Sequence, residues 1–283
     1  MNDSTRQELT LVLGGTGKSG RRVVERLTAR GIPVRVGSRS GEPRFDWEDR
    51  TTWAPVLDGV TSVYVTHYLD AMPGAAETAG AFAELAVKSG ARRLVLLSGR
   101  GEEEAERVEQ AVRAAGPELT ILRATWFAQN FSENYWADEI LGGELALPAG
   151  EAPEPFVDAD DIADVAVAAL TDDRHIGRLY ELTGPRLLTF ADAVAEIGRA
   201  AGREIRYLPV SIEDYAAAAT RQGVPRDFVA LLTYLFSEVL DGRNAHVADG
   251  VQRALGREPR DFGDYARDAA ATGIWSPTAG RAA

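Results

Sequence analysis

The stretch Leu9 to Gly20, LTLVLGGTGKSG, constrains the fold more than any other part of the chain. Leu9, Leu11, Val12 and Leu13 read as a buried parallel strand, and Val23, Val24 and Leu27 form the apolar stripe of a helix behind it. Between them stand Gly14, Gly17 and Gly20. The first glycine permits a tight turn, the second lets backbone approach a pyrophosphate, and the third lets the helix pack closely. An anion held there sits on the helix N-terminus, where unpaired N–H groups and the macrodipole favour negative charge. Gly17, Lys18 and Ser19 imitate the end of a triphosphate-binding loop, but that loop needs a glycine where Val12 stands. A dinucleotide is therefore the expected ligand; the alternative is a glycine turn in an ordinary strand–helix unit.

The rest of the chain extends this unit. Strand-like runs near 9–13, 33–37, 43–46, 62–66, 93–98 and 119–123 alternate with helical patterns at 18–30, 50–57, 74–89 and 102–115. Such alternation specifies an α/β fold with a doubly wound parallel sheet, the NAD(P)-binding Rossmann arrangement. After Arg123 the pattern loosens, and residues 124–155 read as a loop or short helix. An amphipathic helix at 158–170, a strand at 177–183, a helix at 189–201 and a strand at 204–209 follow, and 211–275 is nearly all helical by pattern, with breaks at Pro225 and Gly250. The expected division is a nucleotide-binding domain over 1–150, with sheet-completing segments from 156–183, and a mainly helical substrate-binding cap over 184–283.

Charge and composition narrow the partners. A formal net charge of −12 disfavours nucleic acid and anionic membrane, both of which are met through basic surface. Without cysteine there is no disulfide framework, thiolate metal site or cysteine nucleophile, and no metal site is expected. The N-terminal MNDSTRQ has no signal-peptide apolar core, and no run approaches the ~20 apolar residues of a membrane span, which predicts a soluble cytoplasmic protein. The second strand ends about twenty residues after Gly20, where an Asp or Glu would select NAD. Ser38 and Arg39 stand there instead and can donate hydrogen bonds and charge to a 2′-phosphate, so NADPH is expected over NADH. Asp46 and Trp47 are positioned to flank the adenine.

LVLGGTGKSGRRVVERL, GSRS, RFDWEDRTTW, DGVTSVYV, RRLVLLS, LTILRATWFAQNF and PFVDADDIADVAVAAL, in that order, resemble the NmrA-like atypical short-chain dehydrogenase/reductases, in the branch of ergot-alkaloid reductases and related bacterial proteins. The resemblance implies an NADP-binding domain with a smaller C-terminal substrate region. It implies that Gly14, Thr16, Gly17, Lys18, Ser19 and Gly20 form the pyrophosphate loop, and that Ser38 and Arg39 receive the 2′-phosphate. Thr66 and His67 would border ribose and nicotinamide, and Ser98 falls where the superfamily's catalytic serine sits. Trp126, Phe127, Asn130 and Phe131 would lie beside nicotinamide and substrate.

One departure decides the chemistry. Standard members of the superfamily protonate the nascent alkoxide with a tyrosine activated by a lysine four residues later. The only lysines here are Lys18 and Lys88, preceded at that spacing by Gly14 and Glu84, and alignment of the helix after Ser98 puts Gly101 and Ala105 at the pair's positions. A positioned proton donor contributes roughly 10²–10⁴-fold to such a step. His67 can donate near neutral pH, Ser98 can orient the oxygen, and Tyr135, Tyr215 and Tyr234 lie on segments of the cap. A substrate phenol or an ordered water can replace them, and an iminium substrate needs no proton. Three functions remain open: a reductase of a carbonyl on a polycyclic aromatic secondary metabolite, such as an angucyclinone; an iminium reductase; and a non-catalytic NADP-sensing regulator.

Overall fold

The computed structural model describes residues 9–67, 71–133 and 135–277, with Tyr135 described by its backbone alone. The N-terminal segment read above lies outside the described residues. The strands are β1 (Leu9–Leu13), β2 (Val34–Gly37), β3 (Val60–Val65), β4 (Arg93–Gly99), β5 (Glu118–Ala124), β6 (Glu144–Leu147), β7 (Leu179–Leu182) and β8 (Arg206–Pro209). The helices are α1 (Lys18–Ala29), α2 (Trp53–Leu57), α3 (Ala75–Lys88), α4 (Glu103–Ala114), α5 (Tyr135–Gly142), α6 (Ala159–Thr171), α7 (Phe190–Ala201), α8 (Ile212–Arg221), α9 (Arg226–Tyr234), α10 (Gly250–Leu255) and α11 (Phe262–Ala271). No described helix is long and apolar enough to cross a membrane.

Two compact units divide the chain. The first comprises residues up to Ala124, Asp160–Glu181 and Gly250–Gly256; the second comprises Thr125–Ala159, Leu182–Asp249 and the residues from Arg257 on. Residues 125–150, grouped by sequence with the nucleotide-binding part, thus pack in the second unit, and the short helix α10 packs in the first.

The main sheet has the order β2-β1-β3-β4-β5-β7, with parallel pairing of β1 to β2 and β3, of β3 to β4 and of β4 to β5. From β1 the chain winds outward to β2 and then crosses back to β3, so the winding reverses beside β1. In open α/β sheets ligands bind outside the carboxyl ends of the strands at such a reversal. Leu94, Leu96, Leu119 and Ile121 send their side chains into one core with Phe82, Val108 and Val112, all buried. α1 is tied to α6 by Arg26, whose Nε and Nη2 donate to Asp164 and Asp160 at 2.5 and 2.7 Å.

Residues 43–46, expected to be a strand, form none. Pro43 has no N–H for a ladder, and the neighbouring polar groups find other partners. Phe45 N donates to Ser38 O (2.9 Å), Asp46 N to Thr52 Oγ1 (3.0 Å), and Trp53 Nε1 to Asp46 O (2.9 Å). Phe45 and Trp47 instead plug into an aromatic cluster with Trp53 and Phe82, at centroid separations of 5.1 to 5.9 Å.

The second unit has its own core, built on Phe131, Trp136, Phe156, Phe190, Phe236 and Phe262. Where a loop or short helix was expected, the short helix α5 forms together with an unexpected strand, β6, which pairs in parallel with β8, Leu145 opposite Tyr207. Pro225 and Gly250 start helices rather than merely break them: Pro225 is the N-cap of α9 and Gly250 opens α10. A side chain has no room at Gly250, where a Cβ would stand 2.1 Å from Glu181 O.

Candidate active site

The glycine turn has three glycines with three different reasons. Gly14 has φ +60°, a left-handed conformation that strains any residue with a Cβ, and a Cβ there would lie 2.6 Å from Thr66 Oγ1. At Gly20 a Cβ would stand 2.2 Å from Gly14 O and 2.7 Å from its carbonyl carbon, so α1 rests directly on the turn. Gly17 meets only Gly14 O, at 3.2 Å, and is exposed, as are Gly14 and Thr16. The space above Gly17 is therefore left open by the protein itself. Gly17 is also the N-cap of α1, which has neither a side-chain cap nor an acidic residue in its first turn. In α7, α8 and α11 that position is taken by Thr189, Ser211 and Asp261, whose side chains accept backbone N–H bonds. An exposed glycine cradle leading to a helix N-terminus that carries no side-chain cap fits a pyrophosphate. Lys18 and Ser19 open the helix, Ser19 buried beside the Tyr64 phenol and Lys18 half-buried.

At the end of β2, Ser38 is half-buried, with its Oγ 3.4 Å from Ser40 Oγ, and Arg39 is exposed. Among the described residues the Arg39 guanidinium makes no hydrogen bond or ion pair, which leaves its donors available to a phosphate. Asp46 is held, Oδ2 accepting from Arg44 Nη2 at 2.6 Å and Oδ1 from Glu48 N at 3.2 Å.

Thr66 and His67 follow β3, beside the turn. Thr66 Oγ1 donates to Leu13 O (3.2 Å), and Trp47 Nε1 donates to Thr66 O (3.1 Å). The His67 ring packs on Trp47 at 4.6 Å between centroids, and burial lowers its pKa to about 4. The ring is neutral at pH 7, so His67 carries no readily lost proton there.

Ser98, at the end of β4, faces α4. Here the Ser98 hydroxyl donates to Glu109 Oε1 at 2.7 Å, and Arg123 forks onto the same carboxylate, Nε to Oε1 and Nη2 to Oε2, each at 2.7 Å. The Glu109 and Arg123 side chains are 6% and 20% exposed, so this triad is nearly sealed. A carboxylate in a bidentate pair with arginine only accepts hydrogen bonds, which commits the Ser98 proton to it. Sequence reasoning missed Glu109 and Arg123. A signal was present: Glu109 interrupts the apolar stripe of Ala105, Val108 and Val112, and Arg123 shares a strand face with Leu119 and Ile121. Gly101 and Ala105 supply no acid, and Lys88 lies exposed 3.7 Å from Glu84 on α3.

In the second unit the segment Thr125–Phe131 alternates in role. Thr125 Oγ1 donates to the buried Glu154, and Gln129 bridges Asp158 and Ala159 N, at 2.7 Å each. Phe131 has no exposed surface: it packs on Trp136, Phe156, Phe190 and Phe262, and its carbonyl accepts from Trp275 Nε1. Its position is that of a core residue. Trp126, Phe127 and Asn130 are half-buried, and Trp126 lies against Trp136 and Phe236. Tyr215 packs on Phe236 and hydrogen-bonds the Trp136 side chain, and burial raises its phenol further from neutral pH. Tyr234 ends α9, half-buried, and the Tyr135 side chain lies outside the described residues.

The NmrA-like family model matches residues 103–266, more than half of the chain. The uncharacterized oxidoreductase YesF of Bacillus subtilis is 33% identical over 96% of this chain and 99% of its own length. An NAD(P)H azoreductase of Xenophilus azovorans is 30% identical over 93% of this chain and 98% of its own. Among solved structures, an NADPH-dependent quinone oxidoreductase of Escherichia coli, complexed with NADPH, superposes with a TM-score of 0.76 at 20% identity, over 92% of this chain and 99% of that one. At that identity the likeness speaks for the fold.

Proposed function

The chain belongs to the NmrA-like family, and from that premise we propose that it is an NADPH-dependent reductase that delivers hydride to a carbonyl of a polycyclic aromatic secondary metabolite, such as an angucyclinone-type polyketide. That it is an NAD(P)H-dependent oxidoreductase rests on relatives of that naming aligned over nearly their whole length. The choice of NADPH is supported by the open glycine cradle with an unpaired arginine at the end of β2.

When bound, the reduced nicotinamide supplies the hydride. Gly14, Thr16, Gly17, Lys18, Ser19 and Gly20 hold the pyrophosphate, and Ser38 and Arg39 take the 2′-phosphate. Thr66, His67 and Ser98 border the reacting end. Trp126, Phe127 and Asn130 offer the flat, largely apolar surface that a polycyclic ligand requires. Hydride addition leaves negative charge on the carbonyl oxygen, and the proton that quenches it comes from a substrate phenol or from water. The Ser98 hydrogen is spoken for by Glu109, and His67 is neutral at working pH.

The test follows NADPH oxidation at its nicotinamide absorbance against aromatic ketones, quinones and cyclic imines. Turnover of the carbonyl compounds is the expected result. Turnover of imines alone makes the chain an iminium reductase, and binding without turnover across the panel makes it a dinucleotide sensor. In this reading kcat/KM shows no inflection near pH 6.5, because the His67 imidazolium forms only near pH 4 in the folded protein. Stability moves in the same sense: the unfolded ring binds a proton below about pH 6.5 while the folded one does not, so acidification from there toward pH 4 favours unfolding. A bell-shaped profile with a limb lost in a His67→Gln variant contradicts this assignment.

Arg39→Ala removes a charge-assisted contact worth about 1.5–3 kcal/mol, so NADPH affinity falls by roughly 10- to 150-fold, with NADH affinity unchanged. Calorimetric titration of both nucleotides decides it, and an equal loss for both removes Arg39 from the 2′-phosphate.

A further inference from the structure

Asp46 is a carboxylate beside the proposed 2′-phosphate site, and such a group ordinarily selects against NADPH. Its location follows from a run of hydrogen bonds. Ser38 O accepts from both Gly41 N (3.1 Å) and Phe45 N (2.9 Å), closing residues 38–45 into a loop at the end of β2. Two residues on, Trp47 is pinned to Thr66 O, and Thr66 to Leu13 O immediately before Gly14. Asp46 therefore lies between an anchor at Ser38 and an anchor beside the glycine turn, over the carboxyl ends of β2, β1 and β3.

Its charge is answered from within the same loop. Arg44 Nη2 donates to Asp46 Oδ2 at 2.6 Å, with the arginine side chain 54% exposed and the carboxylate 16%. Asp49, whose carboxylate also feels Arg44, is turned to its own neighbour, accepting from Thr51 N and Oγ1. Arg39, in contrast, is left unpaired. The loop thus contains two arginines in different states, one free to meet a phosphate and one committed to a carboxylate.

We propose that Arg44 is a specificity-determining residue of the dinucleotide site: by neutralising Asp46 it keeps that carboxylate from repelling a 2′-phosphate and from accepting a hydrogen bond from the 2′-hydroxyl of NADH. This rests on the reading of the chain as an NADPH-dependent enzyme. Arg39 supplies attraction, and the Arg44–Asp46 pair removes a repulsion, which is the second half of any specificity. Loss of Arg44 therefore harms NADPH and helps NADH, and the effect runs through Asp46.

The experiment is a double-mutant cycle on the full chain, with dissociation constants for NADPH and NADH measured by calorimetry for the wild type, Arg44→Ala, Asp46→Asn and Arg44→Ala/Asp46→Asn. Arg44→Ala is expected to lower the NADPH-over-NADH preference by about tenfold or more, as one close like-charge contact does. The double variant is expected to return it to within about threefold of the wild type. Unchanged preference in Arg44→Ala overturns the proposal. So does a loss that Asp46→Asn fails to rescue, because Arg44 would then touch the phosphate directly. A wild type that binds neither nucleotide, or prefers NADH, overturns the underlying cofactor reading instead. Far-UV circular dichroism of each variant excludes a folding defect, and Asp46→Asn keeps the size and shape of the side chain.

Discussion

Gly20→Ala is expected to abolish dinucleotide binding, whereas Gly17→Ala is expected to weaken it without disturbing the protein. The two glycines look equivalent in sequence, yet their surroundings differ. A Cβ on Gly20 would meet Gly14 O at 2.2 Å, its carbonyl carbon at 2.7 Å and Gly15 Cα at 3.0 Å. All three are backbone atoms of the turn, so no side chain can swing aside and α1 must lift away from β1. Overpacking of this kind costs about 1–3 kcal/mol in stability or more, and the displaced helix no longer aims its N–H groups at the pyrophosphate. Loss of several such bonds removes on the order of 100-fold or more in affinity. Gly17 has only Gly14 O nearby, at 3.2 Å, and an ordinary φ of −82°. An alanine there asks Gly14 O to yield by only a few tenths of an ångström, and its methyl intrudes on the ligand. Thermal unfolding and NADPH titration of both variants separate the cases. Wild-type affinity in Gly20→Ala, or an equal drop in melting temperature for both, would show that the cradle is not built this way.

The second large effect concerns a residue outside the binding loop. Glu109→Ala takes the acceptor from Arg123 Nε and Nη2 and from the Ser98 hydroxyl. Breaking a buried pair by removing one partner costs about 3–5 kcal/mol, a large share of the roughly 5–15 kcal/mol that holds a typical domain folded. Glu106, 3.2 Å from Arg123 Nη1, remains and reduces the loss. Glu109→Gln is expected to fall between, since it keeps the shape and gives up the charge. Ser98→Ala loses one hydrogen bond to a charged group, worth about 1.5–3 kcal/mol. Urea unfolding with matched slopes is the measurement, and a change below about 1 kcal/mol for Glu109→Ala would mean that the triad is a surface feature. The same series bears on chemistry. If Ser98 acts only as an anchored neighbour of the reacting end, Ser98→Ala lowers kcat/KM far less than the roughly 10²–10⁴-fold expected for a proton donor.

Much of the cofactor half was legible from residue order. The positive φ at Gly14, the close packing at Gly20 and the openness at Gly17 answer the three roles that their spacing predicts. Strands and helices of the first unit fall within a few residues of their expected limits, because each carries its own apolar period. The segment at 43–46 misled because a short alternation of apolar and polar residues also suits a plug of aromatic rings, and only the partners of Phe45 and Trp47 choose between the two. β6 was invisible for a related reason, since four residues become a strand only when β8, some sixty positions later, lies alongside.

What the sequence determined by itself is the set of features fixed by neighbours along the chain: the glycine turn, the start of α1 without a capping side chain, the absence of a tyrosine–lysine pair and the lack of an acid at the end of β2. Tertiary structure alone decided the state of the functional groups. It set the Ser98 hydroxyl to donate to Glu109, held His67 neutral beside Trp47, buried Phe131 fully and Trp126 only in part, and paired Arg44 but not Arg39. Backbone conformation is set by steric limits acting over a few residues, and these can be read in order. Protonation, hydrogen bonding and burial depend on what the fold brings within a few ångströms, and for Ser98, Glu109 and Arg123 those partners come from three separate elements of the chain.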